Sequence, residues 1–172
     1  STLGGGGIAA GDFDGDDRCD LYFVSGARTN TLYQNKGLGR FEDISRTAGV
    51  EGGSAWGSGV AAVDIDGDHD LDLYVCNYGS PNQLFINDGK ANFVESASRF
   101  GLARSGAFSM AAFADYDLDG DLDVYLLGHR FYRAGGRPDR PVTVVKNGRT
   151  QILPEFEDYY GISQRGGKMQ IN

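Results

Sequence analysis

Apolar and polar positions along the chain follow the short spacing of β-strands. Three segments of small residues are each followed by an aspartate-rich loop and then by a segment that is apolar at successive positions. The small-residue segments are GIAAG (7–11), GVAAV (59–63) and MAAFA (110–114), and the apolar segments are LYFV (21–24), LYVC (73–76) and VYLL (124–127). A strand apolar at every position is typically buried on both faces, and no segment shows a helical period. The pattern predicts an all-β chain.

The pattern is a repeat, with a step of 52 residues from Asp12 to Asp64 and of 51 residues to Asp115. In the first two repeats a hairpin follows, LYQNKGLGRFEDI and LFINDGKANFVES, which pairs Asn35 with Asn87 and has glycine at its turn. Four strands in about 50 residues, with small residues on the first strand, are typical of a β-propeller blade. We predict four-stranded antiparallel blades with repeat boundaries at 1–50, 51–102 and 103–172.

The third repeat departs from this pattern after its second strand. Asn147, in the segment VTVVKNGRTQILPEFED (142–158), lies 60 residues after Asn87 instead of 51. Either a loop is inserted before this hairpin or the expected hairpin lies beyond Asn172, and we favour the second interpretation. The chain then holds about two and a half blades, whereas a closed propeller needs at least four. We expect a larger propeller, completed by further chain, a second copy or a partner.

Acidic residues are concentrated in the three loops. The net charge is −8, but residues 12–20, 64–72 and 115–123 hold 15 of the 24 acidic side chains and one basic residue, Arg18. The rest of the chain carries 15 basic and 9 acidic side chains. This distribution favours local cation binding over a generally acidic surface.

Each loop has aspartate at positions 1, 3, 5 and 9, counted from its first aspartate. Position 7 varies, as expected if only its backbone carbonyl is used, and a glycine (Gly15, Gly67 or Gly120) permits a tight turn. The predicted metal-ligating residues are Asp12, Asp14, Asp16, Arg18 and Asp20 in the first loop, Asp64, Asp66, Asp68, Asp70 and Asp72 in the second, and Asp115, Asp117, Asp119, Asp121 and Asp123 in the third.

Four carboxylates and a carbonyl form a hard, all-oxygen ligand set that suits Ca²⁺, whereas zinc would require His or Cys. Without a cation, like charges about 4 Å apart repel by about 4 kcal/mol per pair at an effective dielectric of about 20. An EF-hand needs Glu at position 12, where these loops have Phe23, Val75 and Leu126. The alternative interpretation, solvated Asp-Gly turns without a metal, is disfavoured because the same loop occurs three times at a fixed spacing. We predict about three structural calcium ions, one per loop.

These repeats, for example GVAAVDIDGDHDLDLYV (59–75), resemble FG-GAP/VCBS-type repeats, the calcium-loop blades of integrin α-chain propellers. The segment NQLFINDGKANFVESA (82–97) is similar to the longer repeats of the cartilage acidic protein group and its bacterial relatives. The resemblance covers roughly residues 4–130. It implies a propeller of the seven-bladed type, calcium held by the aspartates at positions 1, 3, 5 and 9, and an extracellular or periplasmic protein.

Other candidate chemistry is sparse. Cys19 and Cys76 lie five residues apart in the repeat register, about 17 Å along a strand, which is too far for a disulfide, so we expect both to be buried apolar residues. His69 is expected to face solvent, and the role of His129 is open. No G-x-S-x-G elbow is present, and GISQRGGK (161–168) lacks the G-K-[ST] ending of a phosphate loop.

A basic segment covers residues 130–168, with Phe131 and Tyr132 near its start. It could contact an anionic glycan or protein, although a solvated inserted loop is the simpler interpretation. Its basic residues are Arg130, Arg133, Arg137, Arg140, Lys146, Arg149, Arg165 and Lys168.

The leading functional hypothesis is a calcium-binding, non-catalytic propeller segment that serves adhesion, assembly or ligand display in a secreted or surface protein. The alternatives are a scaffold propeller of a secreted enzyme and a lectin-like carbohydrate-binding propeller, with Trp56 and Tyr78 as candidate stacking residues. Packing is the simpler role for both aromatic residues.

The expected ligand is a protein or a glycan, with no nucleic acid. The expected location is extracellular, at the cell surface or periplasmic. No apolar run approaches the length of a membrane span. The opening STLGGGG shows no signal peptide, which indicates an intracellular protein or a processed or truncated product.

Overall fold

The computed structural model describes residues 6–26, 28–128, 141, 143–146, 149–153, 162–165 and 168–171. The chain divides into two compact units, Ser1–Leu127 and Gly128–Asn172. Within the described residues, the elements are antiparallel strands and one short helix. The all-β prediction is therefore confirmed.

The first sheet contains four consecutive antiparallel strands in the order β1-β2-β3-β4. Their bounds are β1 Gly6–Gly11, β2 Asp20–Ser25, β3 Thr31–Asn35 and β4 Phe41–Asp43. The register places Ile8 opposite Phe23 and Tyr22 opposite Leu32. This is the four-stranded blade that the sequence predicts, with the first aspartate loop joining β1 to β2.

The second repeat forms the same arrangement, with β5 Trp56–Val63, β6 Asp72–Pro81, β7 Gln83–Asn87 and β8 Phe93–Glu95. Two strands of the third repeat follow, β9 Ser105–Ala114 and β10 Asp123–Gly128. The last residues of β6 pair with β9, with Tyr78 opposite Ala107, so these six strands form one sheet. The repeat boundaries at residues 50 and 102 stay predictions.

One short helix lies among the described strands. Residues Ser45–Ala48 form a one-turn helix, α1, between β4 and β5. The helix ends at Gly49, which has φ of 78° and donates its backbone N–H to the Ser45 carbonyl. Four residues are too few to display a helical period, so the sequence pattern could not reveal this turn.

The first two sheets pack face to face through one buried cluster. Tyr22, Val24 and Leu32 of the first sheet lie in the same cluster as Val75 and Phe85 of the second. Burial of β6 on both faces is confirmed, because every residue from Asp72 to Asn77 is buried. In β2, by contrast, Phe23 is 39 % exposed, since no described sheet covers that face.

Glycine residues allow the innermost strands of successive repeats to approach closely. A Cβ atom on Gly7 would lie 3.0 Å from the Cα of Gly59, and a Cβ atom on Gly59 would lie 2.1 Å from the Ser109 carbonyl oxygen. A side chain at Gly59 would clash with the backbone of β9. The glycines of β1 and β5 are therefore required by inner-strand packing, as the pattern predicts.

The second unit contains two separate antiparallel hairpins in its described residues. They are β11 Thr143–Lys146 with β12 Arg149–Ile152, and β13 Ile162–Arg165 with β14 Lys168–Ile171. A hairpin thus forms within VTVVKNGRTQILPEFED (142–158), as a separate two-stranded sheet. His129, Phe131, Tyr132 and most side chains of the basic segment lie outside the described residues. No helix within the described ranges is both long and apolar enough to cross a membrane.

Candidate metal centres

The three aspartate loops each connect an inner strand to the next strand of its sheet. In each loop the carboxylates at positions 1, 3 and 9 converge, with one oxygen from each within 4.8 Å of the others. The three groups are Asp12, Asp14 and Asp20; Asp64, Asp66 and Asp72; and Asp115, Asp117 and Asp123. Nine of the predicted ligands thus form three groups of three carboxylates, and each group uses the same loop positions.

The aspartate at position 1 folds the loop around itself. Asp12 accepts backbone N–H bonds from Gly15 and Asp16 at Oδ1 and from Asp17 at Oδ2, at 2.7–3.1 Å. Burial raises the pKa of Asp12, but these amide bonds outweigh it, so the net pKa lies below the ordinary value. The same bonds recur elsewhere, from Gly67 and His69 to Asp64 and from Asp119 and Gly120 to Asp115.

The aspartate at position 9 is buried and joins the loop to the hairpin of its own sheet. Asp72 is 0 % exposed; its Oδ2 accepts the Ile65 N–H at 2.9 Å and its Oδ1 accepts the Asn87 N–H at 2.8 Å. Asp20 accepts from Phe13 and Asn35 in the same way. Burial raises the pKa of Asp72 to about 6; these two bonds oppose the shift and the nearby negative carboxylates add to it.

The third loop has the same carboxylate group in a more open setting. Asp123 accepts the Tyr116 N–H at 3.1 Å, which matches the bonds from Phe13 and Ile65 in the first two loops. Asp123 is only half-buried, because among the described strands β10 pairs with β9 alone and no hairpin lies over the loop.

The aspartate at position 3 gives the clearest sign that these loops suit a cation. Asp14 Oδ1 is buried and has no hydrogen-bond partner among the described residues, while its other oxygen accepts from Gln34 Nε2. A buried charged oxygen without a partner is unfavourable. Burial and the neighbouring charges of Asp68 and Asp64 raise the pKa of Asp66, its equivalent in the second loop. A cation among these oxygens would offset both effects.

Position 5 lies outside these groups. Its carboxylate instead accepts the backbone N–H of position 7, as in Asp16 with Arg18 at 2.9 Å and Asp68 with Asp70 at 3.0 Å; Asp119 and Asp121 repeat this bond. In the first loop the Arg18 guanidinium also pairs with Asp16. Metal ligation by position 5 and by the position 7 carbonyl stays a prediction.

The loop conformation corrects the interpretation of the glycines. Each loop has positive φ at two positions, 4 and 6, and Gly120 occupies position 6 while Gly15 and Gly67 occupy position 4. Leu118 therefore adopts φ of 59° at position 4 of the third loop. The three glycines are therefore not equivalent in position, although each avoids backbone strain at one of the two left-handed positions of its loop.

Two functional residues were not singled out from the sequence, Asn35 and Asn87. Besides the backbone bonds to position 9, each donates its side-chain amide to the carbonyl at position 8 of its own loop, to Cys19 at 3.0 Å and to Leu71 at 3.1 Å. The signal was their equivalence in the repeat, because an asparagine at the end of a strand, retained in both copies, suggests a polar contact. Its target, 16 residues earlier, follows only from the fold.

The prediction for the cysteines holds for one of them. Cys76 is buried, and burial raises the pKa of its thiol to about 12. Cys19 is exposed. Its equivalent Leu71 packs against Gly11 of the preceding repeat, whereas no described repeat precedes Cys19. The prediction for His69 is confirmed, since its side chain faces solvent.

Trp56 and Tyr78 are cross-strand neighbours on β5 and β6, and both are half-buried. The Trp56 ring covers Gly26, where a Cβ atom would lie 2.4 Å from ring atoms. This contact supports the packing role for Trp56.

Comparison with known proteins places these features in a family. The FG-GAP-like repeat matches residues 12–75 and 66–126, which includes all three loops. Cartilage acidic protein 1 of Xenopus tropicalis is 32 % identical over 145 residues, covering 78 % of this chain and 22 % of that protein. The mouse and human proteins of the same name are 30 % and 29 % identical, covering 70 % and 71 % of this chain and 19 % of each relative.

The chain therefore spans about a fifth of the length of these relatives. The repeat match extends over more than half of the chain and coincides with the strands and loops described above. The chain belongs to the FG-GAP-like repeat family.

Proposed function

We propose that this chain is a calcium-binding, non-catalytic β-propeller segment that serves adhesion, assembly or ligand display in a secreted or surface protein. The observation that carries the proposal is the convergence of three carboxylates within 4.8 Å in each of three loops, with Asp14 Oδ1 buried and without a partner among the described residues. Such an arrangement is unfavourable unless a cation balances the charge.

The donor set favours calcium among the available cations. All the converging ligand atoms are carboxylate oxygens, which suit hard cations, and exposed loops match the flexible geometry that Ca²⁺ accepts. The aspartates at positions 1, 3 and 9 would hold the ion, with position 5 and the position 7 carbonyl completing the set. When bound, the ion supplies positive charge that cancels the repulsion among the carboxylates.

A structural role for the cation is supported by the backbone hydrogen bonds that its aspartate ligands accept. Position 1 fixes the turn of its own loop, and position 9 joins the loop to a distant hairpin through backbone bonds. A cation at this point would lock two strands and a hairpin together. A catalytic ion would be expected in one distinctive loop, whereas these three share one pattern.

Exposed apolar residues support membership of a larger propeller. Phe23, Tyr33 and Phe41 are exposed on the first sheet, and their equivalents Val75, Phe85 and Phe93 are buried against that sheet in the second repeat. We infer that another blade covers Phe23, Tyr33 and Phe41, supplied by further chain, a second copy or a partner.

The location we propose is extracellular, at the cell surface or periplasmic, where calcium reaches the concentration range of extracellular calcium modules. The lectin-like alternative loses one of its two candidate stacking residues, since the Trp56 ring packs on Gly26. A scaffold role in a secreted enzyme would use the same structural loops.

The discriminating experiment uses Asp66→Ala, which removes the position 3 ligand of the second loop. Calcium content is measured by mass spectrometry, and native structure by circular dichroism. We expect one fewer calcium ion per chain, with protein or glycan binding retained wherever the variant is folded. Loss of all ligand binding in a folded variant would mean that the loop is the working site, and ligand selectivity on a glycan array would favour the lectin-like alternative.

A further inference from the structure

Asn87 connects the first two aspartate loops through its side chain. Its Nδ2 donates to the Leu71 carbonyl of the second loop at 3.1 Å and to the Phe13 carbonyl of the first loop at 2.9 Å. Its backbone N–H donates to Asp72 Oδ1, a member of the second carboxylate group, at 2.8 Å.

The connection continues into the first carboxylate group. The Phe13 backbone N–H donates to Asp20 Oδ2 at 3.1 Å, so a line of hydrogen bonds runs from Asp20 through the backbone of Phe13 and through Asn87 to Asp72. Asp20 and Asp72 are the position 9 aspartates of the two groups.

The surrounding contacts hold this line in place. The Phe13 carbonyl also accepts the Ala91 N–H at 2.9 Å, which seats the turn of the second hairpin on the first loop. Phe13 is 1 % exposed and packs edge-to-face on Phe93, with ring centroids 6.1 Å apart. Asn87 is 4 % exposed and its bond to the Phe13 carbonyl is buried, so this carbonyl and the amide have little alternative to pairing with each other.

Asn35 provides an internal comparison. It makes the same two bonds within its own repeat, from Nδ2 to the Cys19 carbonyl at 3.0 Å and from its backbone N–H to Asp20 Oδ1 at 2.7 Å. The bond from Asn87 to another repeat is the difference between the two residues.

We propose that Asn87 is a positioning residue that couples the first and second loops, so that a cation ordering one loop raises the affinity of the other. This proposal rests on the proposed calcium binding. Fixing Asp20 fixes the Phe13 peptide, which orients Asn87 and thereby places Asp72 for its own ion. By linkage the effect is reciprocal between the two sites.

The test measures calcium-dependent hydrogen exchange of peptides covering residues 64–72 in the intact protein. The calcium concentration at half-maximal protection gives the affinity of the second loop alone. Asp14→Asn, which disables the first loop, should raise this midpoint about fivefold or more. In an Asn87→Ala background the same substitution should leave the midpoint unchanged, as in a double-mutant cycle.

Two controls separate coupling from general damage. Asn92→Ala removes a side-chain amide that bonds Asp88 in the turn of the second hairpin, and it should preserve the response of residues 64–72 to Asp14→Asn. Asn87→Leu keeps the side-chain volume without the donor and should repeat the Asn87→Ala result if the alanine variant folds poorly. An equal midpoint shift in the presence and absence of Asn87 would overturn the coupling.

Failure of the proposed calcium binding can be distinguished from failure of the coupling between the loops. If the wild-type protein takes up no calcium, the proposed function fails and the coupling is decided in the ion-free protein. There Asp12→Ala, which removes the bonds that shape the first loop, should speed exchange in residues 85–88 only when Asn87 is present; this segment excludes Ala91, whose N–H bonds the first loop directly. Unchanged exchange in that segment with Asn87 present would overturn the coupling.

Discussion

Asp72 Oδ1 accepts the backbone N–H of Asn87 at 2.8 Å, which ties a fully buried carboxylate to a hairpin 15 residues away. Burial raises the pKa of this carboxyl to about 6 in the absence of a cation. The folded protein therefore holds a proton at Asp72 more tightly than the unfolded chain, whose aspartate pKa is about 3.9. The pH dependence of both stability and calcium binding follows from this difference.

Without calcium, the contribution of Asp72 to the free energy of unfolding is complete below about pH 4 and is lost as the pH rises through about 6. The size is on the order of 3 kcal/mol. We expect Asp72→Asn, which mimics the protonated group, to flatten this dependence in chemical denaturation with a chelator between pH 4 and 7. An identical slope in both proteins would contradict the assignment to Asp72.

Calcium affinity should show the opposite trend, because the ion needs ionised Asp72. We expect the affinity of the second loop to fall as the pH drops below about 6. Calorimetric titration at pH 5 and pH 7 measures this. Equal affinity at the two values would argue that Asp72 is not a ligand.

Leu118 occupies a left-handed backbone position that glycine occupies in the first two loops. Its φ is 59° and its side chain is 86 % exposed, so glycine would remove strain with little loss of packing. We expect Leu118→Gly to raise the free energy of unfolding by about 0.5–1 kcal/mol. Leu122→Gly in the same loop is the control and should destabilise, and a Leu118→Gly variant less stable than wild type would contradict the argument.

Gly59 lies where three inner strands converge. A Cβ atom there would be 2.1 Å from the Ser109 carbonyl oxygen, which cannot move without shifting β9. We expect Gly59→Ala to lower the free energy of unfolding by about 1–3 kcal/mol or more. Gly6→Ala on β1, where the nearest atom would be 3.3 Å away, is the matched control. Equal melting temperatures for the two variants would show that the strands are not in close contact.

The repeat, the strands and the aspartate groups follow from the sequence, because their spacing alone places equivalent residues at equivalent points. The positions of Asn87 and Cys19 did not follow, because each depends on which repeat lies beside it. Leu118 shows a third limit. A left-handed backbone position can be predicted from the sequence where glycine occupies it, but the third loop has leucine there. The one-turn helix Ser45–Ala48 is set by local capping at Gly49, which leaves no periodic signal.

The exposed face of the first sheet predicts association of the isolated chain. Phe23 and Tyr33 stack edge-to-face at 5.8 Å on this face, where the second repeat has buried residues. We expect residues 1–172 alone to associate in sedimentation velocity, and Phe23→Lys to weaken that association more than Val94→Lys, which alters an exposed residue on β8. A compact monomer at all concentrations would contradict the prediction.

The most direct test of the central claim is thermal melting with calcium and with a chelator, with bound metal counted in the same samples. Calcium at about 100 times the dissociation constant should contribute about 2.7 kcal/mol per site. The account predicts about three calcium ions per chain and a clearly higher melting temperature in calcium than in chelator. An unchanged melting temperature together with no bound metal would contradict it.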